Sequence, residues 1–219
     1  MFELALIPDL LPLFAGATLR TLALLATALL GGLLMGFGMN LLRQSLPALQ
    51  PVYWAYVGLM RGLPFLILLF ITYFGLPSAG LELSPFAAAA AALSLYSGAY
   101  FAEIFRACWQ AIPAGQIEAA RVLGMGSMQV FWHVQAPQAL RASLPLLANQ
   151  AVLLLKDCAL ASVITYPELT MTASKVVSEQ FIYLEPYLLL AACYWLLAIA
   201  LDLLGRWLTQ RFRLKGATR

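Results

Sequence analysis

Charged side chains are few in this sequence. Asp, Glu, Lys and Arg make up 11% of its 219 residues, against 63% hydrophobic ones. Soluble domains carry roughly 25% charged residues, so a soluble globule is excluded as the reading. Histidine is nearly absent. His133 stands alone, with no second His and no suitably spaced Cys, so no metal site is expected. The cysteines, Cys108, Cys158 and Cys193, lie in or beside apolar segments and read as small packing residues. No Gly-x-x-x-x-Gly-Lys-Ser/Thr phosphate loop occurs, so the chain is not expected to hydrolyse ATP by itself. Internal repeats and low-complexity linkers are also missing, so any two-fold symmetry has to come from a second subunit.

What fills the chain instead is apolar sequence in lengths that suit a bilayer, which takes about 20 residues per helix. Thr21–Leu42 is free of charge and carries Gly31, Gly32, Gly36 and Gly38, small residues that let helices approach closely in lipid. Val52–Met60 is apolar, Arg61-Gly62-Leu63-Pro64 interrupts, and Leu63–Leu81 resumes. Proline removes a backbone donor there, so a kink is expected, with the first part near the interface and the second spanning. Leu83–Ala102 forms the third span and ends in Glu103 and Arg106, spaced to pair. Ala142–Leu155 and Cys158–Tyr166 form the fourth, with Lys156-Asp157 inside it. Glu168–Glu185 has room for one short surface helix, and Pro186–Leu201 is the fifth span, followed by the Asp202/Arg206 pair. The fold expected is all-α, an integral membrane bundle of about five helices.

Five spans put the termini on opposite faces. With the N-terminus outside, Arg43, Arg106, Arg121, Arg141, Arg206, Arg211, Arg213, Lys215 and Arg219 fall on the cytoplasmic side. The outer side then holds only Arg20 and Lys175 among Glu3, Asp9, Glu82, Glu168, Glu179 and Glu185. The excess of cytoplasmic Lys and Arg selects N-out, C-in. Met1–Leu11 has Glu3 and Asp9 and no basic residue, the opposite of a signal-peptide start, so the first helix is expected to be retained.

Gln116–Arg141 is the longest polar-containing interruption between apolar segments. Ile117–Leu123 suits two helical turns, Gly124 and Gly126 a bend, and Ser127 the cap of a second short helix, Met128–Val134, stopped by Pro137. Phe131 and Trp132 suit the headgroup level. A cytoplasmic knob of this kind is one that another protein can grip; an interfacial hairpin without a partner is the other reading. Glu118 has two readings as well, a partner contact or a charge that complements the start of its helix. Ionisable residues inside a span cost at least about 2.5–3.5 kcal/mol each on insertion scales. Lys156 and Asp157 therefore either join a structural ion-pair network or line a pathway, and with Arg61 and Glu103 they form the candidate substrate path.

The ordered series of motifs carries a resemblance. Glu118-Ala119-Ala120, Gly124 and Ala136-Pro137 are similar to the EAA loop of permease subunits of ATP-binding-cassette importers. Arg61-Gly62-Leu63-Pro64, Tyr100–Arg106, Leu155–Leu160 and Tyr166-Pro167-Glu168-Leu169 resemble its polar amino-acid branch, the histidine, glutamine, arginine and glutamate permeases. The resemblance covers nearly the whole chain. It implies the MetI-like fold of type I importers, as one permease domain over 1–219 with a cytoplasmic coupling loop at 110–141. It also implies a multi-pass place in a bacterial inner membrane, and a path for a polar amino acid. The implied partners are an ATPase dimer, a second permease subunit (identical or homologous), an extracytoplasmic solute-binding protein and the lipid membrane, with no nucleic acid. Glu118, Ala119, Ala120 and Gly124 would contact the ATPase. ATP and Mg would be bound by that partner, leaving this chain without cofactor or catalytic residue. Two alternatives stay open: a permease for another small polar solute, and a membrane enzyme using the buried charges, against which stand the absent histidine cluster and serine–base motif.

Overall fold

The computed structural model describes residues 6–212; the expectations placed on Glu3, Arg213, Lys215 and Arg219 lie outside them. Every regular element is helical. In order they are α1 (Ile7–Ser45), α2 (Gln50–Gly62), α3 (Phe65–Phe70), α4 (Pro85–Gln110), α5 (Ala114–Val122), α6 (Ser127–Val130), α7 (Ala136–Asp157), α8 (Leu169–Gln180) and α9 (Leu184–Arg211). Among the described residues four helical stretches are long and apolar enough to cross a membrane. They are α1, α4, the stretch Ser127–Ile164 and α9. A fifth span arises only if Pro47–Gly62 and Phe65–Ala79, bent by 103°, are counted as one.

The axis of the bundle is α4, which touches α1, α2, α3 and α7. Its alanines do this: Ala88, Ala89, Ala92 and Ala99 have no exposed surface, and they pack with Leu24, Leu25 and Ala28 of α1. Further along, the glycines of α1 meet α4 directly. A Cβ on Gly36 would stand 2.6 Å from Phe101 Cβ and 2.8 Å from the Ala102 nitrogen, closer than atoms can come. Gly31 and Gly32 are similarly pressed against Ser94 and Ser97. Gly38 has nothing within 4 Å and plays no part in this contact, contrary to its sequence reading.

Three expectations need correction. The break at Leu63-Pro64 is a sharp turn and not a kink, and Phe65–Ala79 is too short to span alone. It holds one α-helical piece, a π-helical turn at Ile71–Gly75 and a 3₁₀ turn at Leu76–Ala79. Pro64 has no N–H to give, so the chain leaves the helix there with Leu63 extended at ψ 138°. Secondly, Ser127 is the first residue of α6 rather than its cap; the Gly126 N–H is instead satisfied by Gln129 Oε1 at 2.9 Å. Thirdly, Pro137 stops nothing. It follows directly on a π-helical turn, Phe131–Gln135, through which α6 runs on into α7, and such a local change of hydrogen-bond register accommodates a proline inside a continuous helix.

The expected short surface helix is α8. Its cap is Glu168, fully buried, whose carboxylate accepts from Thr170 N (2.8 Å), Met171 N (2.7 Å) and the Tyr194 hydroxyl (2.9 Å). Burial pushes this carboxyl above the ordinary carboxylate range, although all three donors favour its charged form. Thr21 Oγ1 accepts from Leu169 N (3.2 Å), and Tyr166 donates to the Arg20 carbonyl (3.2 Å), so α1, α8 and α9 meet at this cap. Glu168→Ala is expected to cost about 2 kcal/mol, a cap lost and a half-buried Tyr194 hydroxyl left without its acceptor. A lowered unfolding temperature and faster amide exchange at Thr170 and Met171 are the readouts; unchanged exchange there would refute the capping role.

Candidate functional site

Two groups of residues stand out from the scaffold. The first is the connection between α4 and α7. Here α5 begins after Pro113, which is extended at ψ 131°, and ends at Leu123. Gly124 follows with φ +82°, a left-handed conformation that a β-carbon makes costly. Glycine is needed at this turn. The Met125 N–H bonds the Ala120 carbonyl (3.1 Å) and the Gly124 N–H the Arg121 carbonyl (2.9 Å), closing the helix end.

Within α5, Ala120 faces inward and is buried, while Glu118 and Ala119 face out. The run beyond them carries two large apolar side chains in the open, Val122 at 87% and Leu123 at 81% exposure. Met128, at the start of α6, is 70% exposed. Sequence reading did not single these three out. The signal was there: apolar residues flanking a glycine turn in an otherwise polar stretch. The Phe131 ring stacks on Trp109 of α4 (5.6 Å, 21°). Trp132 does stay half exposed. The loop is tied back to its own helices by Gln138 Nε2, which donates to Gln116 Oε1 at 2.7 Å.

The second group lies along one face of α4, at Tyr96, Tyr100 and Glu103, one helical turn apart. Glu103 accepts from Tyr53 Oη (2.6 Å), from Arg106 through both Nε (2.8 Å) and Nη2 (3.0 Å), and from Arg61 Nη1 (3.4 Å). It thus ties α2 to α4 just before the Leu63-Pro64 break. The Arg61 guanidinium also lies over the Tyr100 ring (5.5 Å), and the Tyr100 and Tyr96 hydroxyls are 3.1 Å apart. Asp157 lies within electrostatic reach of Tyr96. These contacts join Glu103, Arg61, Tyr100 and Tyr96 in one polar file, with Asp157 near its Tyr96 end.

Of the four residues assigned to a path by sequence, Arg61, Glu103 and Asp157 are brought onto or beside this file and Lys156 is not. Lys156 is exposed, and among the described residues neither it nor Asp157 takes part in an ion pair. The two tyrosines were missed as individual residues. Their i,i+4 spacing, with Glu103 three residues on, was the available signal. Directly after Asp157 the α-helix gives way to a 3₁₀ segment, Cys158–Ile164, which ends on Thr165 at φ +63°. The distortion expected at Lys156–Asp157 is thus present. The change of helix type alters the backbone hydrogen bonding beside the carboxylate, within the stretch Ser127–Ile164 that is long and apolar enough to cross a membrane.

Comparison with known proteins agrees with this geometry. The family described as binding-protein-dependent transport system inner membrane component matches residues 28–214. The probable amino-acid ABC transporter permease protein YckA of Bacillus subtilis (strain 168) is 39% identical over 178 residues, covering 80% of this chain and 78% of that one. A crystal structure of an amino acid ABC transporter with histidines superposes with a TM-score of 0.90 at 35% identity, over 96% of this chain and 99% of the other. An inward-facing structure of the MetNI methionine ABC transporter shares the fold alone, with a TM-score of 0.80 at 20% identity over 98% and 100% of the two chains. With its multi-pass helices, its MetI-like fold and these relatives, the chain belongs to the binding-protein-dependent transport system inner membrane component family, among the permeases of amino-acid ATP-binding-cassette transporters.

Proposed function

We propose that this chain is the permease half-unit of an importer for a polar amino acid. It pairs with a second permease and is driven by a separate ATPase that docks on 110–141, with Glu118, Ala119, Ala120 and Gly124 at its centre. The observation that carries the reading is the pair Val122 and Leu123, more than four-fifths exposed beside a glycine turn. Large apolar side chains held out on an ordered knob mark a protein–protein contact better than a solvated loop. Ala120, being buried, serves by letting α5 lie close to the bundle. ATP and Mg belong to the ATPase, and an extracytoplasmic binding protein delivers the cargo.

Charge supports the orientation N-out, C-in, because it gathers the described arginines other than Arg20 and Arg61 on the loop side. The cargo carries an ammonium and a carboxylate. Glu103 is saturated by Tyr53, Arg61 and Arg106, which leaves Asp157 as the carboxylate of the file open to the ammonium. Arg61, half exposed at 46%, is placed for the carboxylate.

Two measurements test this. A tagged chain expressed in its host is expected to copurify with an ATPase subunit; recovery of the chain without one would remove the coupling reading. Single cysteines at Ser174 on α8 and at Gly126, both exposed, are expected to react with membrane-impermeant reagent from opposite faces. Labelling of both from one side would overturn the topology.

A further inference from the structure

α7 and α9 touch through small residues. Gly205 of α9 is buried against Ala148 of α7, where a Cβ would overlap the alanine methyl. Around that contact lie two clefts that share Ala148 and Gly205. One, of about 230 Å³, is walled by aliphatic side chains including Leu33, Leu147, Leu204 and Leu208, with Phe101 at its base. The other, of about 260 Å³, is edged by Asn149, Asp202, Arg206 and Gln210 beside Pro145. An apolar slot beside a cleft edged by charged and amide side chains suits an amphiphile.

We propose that this double cleft is a binding site for one phospholipid whose headgroup carries a phosphate and a primary ammonium, with an acyl chain in the slot and the headgroup in the mouth. Charge complementarity selects the headgroup. Arg206 Nε donates to Asp202 Oδ2 at 2.8 Å, and both side chains are more than half exposed. Such a solvent-exposed pair is worth little by itself, so a ligand opens it at small cost. The guanidinium then takes the phosphate, which it can grip through two N–H groups. The Asp202 carboxylate accepts from the ammonium. A net-anionic glycerol headgroup leaves Asp202 facing negative charge, and a choline headgroup has no N–H to offer it. Asn149 and Gln210 supply further hydrogen bonds at the rim. The site rests on the chain being a membrane permease and on neither its cargo nor its ATPase contact.

The experiment uses the whole importer, reconstituted in phosphatidylcholine nanodiscs containing a minor fraction of either phosphatidylethanolamine or phosphatidylglycerol. Lipids retained per permease chain are then counted by native mass spectrometry after release. Phosphatidylethanolamine is expected to be kept over both other lipids by about tenfold, the selectivity of one charge-assisted hydrogen bond. Asp202→Asn is expected to abolish the preference over phosphatidylcholine, and Leu208→Trp, which fills the slot, to remove the bound lipid. Equal retention of the three lipids by the unaltered importer, a comparison that needs no variant, overturns the proposal. So does a disulfide joining two permease subunits through cysteines placed at Leu204, which would mean that a second copy covers the cleft.

Discussion

Gly124→Val is expected to leave the permease in the membrane in normal amount and to cut uptake by at least about tenfold. The reason is conformational. Gly124 has φ +82° with nothing within 4 Å of where a β-carbon would lie, so no collision is involved. The left-handed region costs an ordinary residue about 1–2 kcal/mol and a β-branched one more. The turn relaxes toward another shape, and the α5 end carrying Val122 and Leu123 swings relative to α6. A shift of about 1.4 kcal/mol in the docking equilibrium is already tenfold. Glu118→Lys provides the companion test, because Glu118 is exposed and forms no ion pair among the described residues, so the fold is indifferent to it. Uptake into proteoliposomes and ATP turnover, measured together, report coupling. Normal uptake in both variants would take the loop out of the mechanism.

The second large effect is expected at Asp157. Asp157→Asn keeps the size of the side chain and removes its charge, while the Glu103 tie between α2 and α4 stays whole. If Asp157 receives the ammonium of the cargo, transport falls by about a hundredfold, the scale for losing one partner of a desolvated charge pair. Assembly and basal ATP hydrolysis persist. Lys156→Gln is expected to change uptake far less, because Lys156 is exposed and makes no ion pair among the described residues. Loss of assembly in Asp157→Asn would identify a structural charge instead, and undiminished uptake of every amino acid tried would exclude it from the path.

The spans were legible because long charge-free windows have few other uses, and Glu103/Arg106 and Asp202/Arg206 were legible because helix spacing alone brings them together. Helix ends were harder to read. α1 begins at Ile7, well before the charge-free window at Thr21, because Pro12 is accepted within its first turns and Arg20 reaches sideways to the Pro167 carbonyl (3.4 Å). Pro64 and Pro137 illustrate the same limit in opposite directions. One ends a helix and turns the chain through 103°; the other follows a π-helical turn and the helix runs on past it. Proline alone does not distinguish these cases, since the outcome depends on whether an N–H was needed at that point. The long-range part of the file was hidden for a different reason. Tyr53 and Glu103 are 50 residues apart, and nothing local marks them as partners.

From Ser127 the helix continues without a gap, through the π-helical turn, to Asp157. At 1.5 Å per residue this stretch is a rod about 45 Å long. A tilt of only about 5° about one end displaces the other by about 4 Å, more than the length of a hydrogen bond. Met128, beside the knob proposed to dock the ATPase, and Asp157 lie at the two ends of that rod. On that proposal, a small rotation imposed at the Met128 end is enough to make or break a contact at Asp157, with no change in any bond between them.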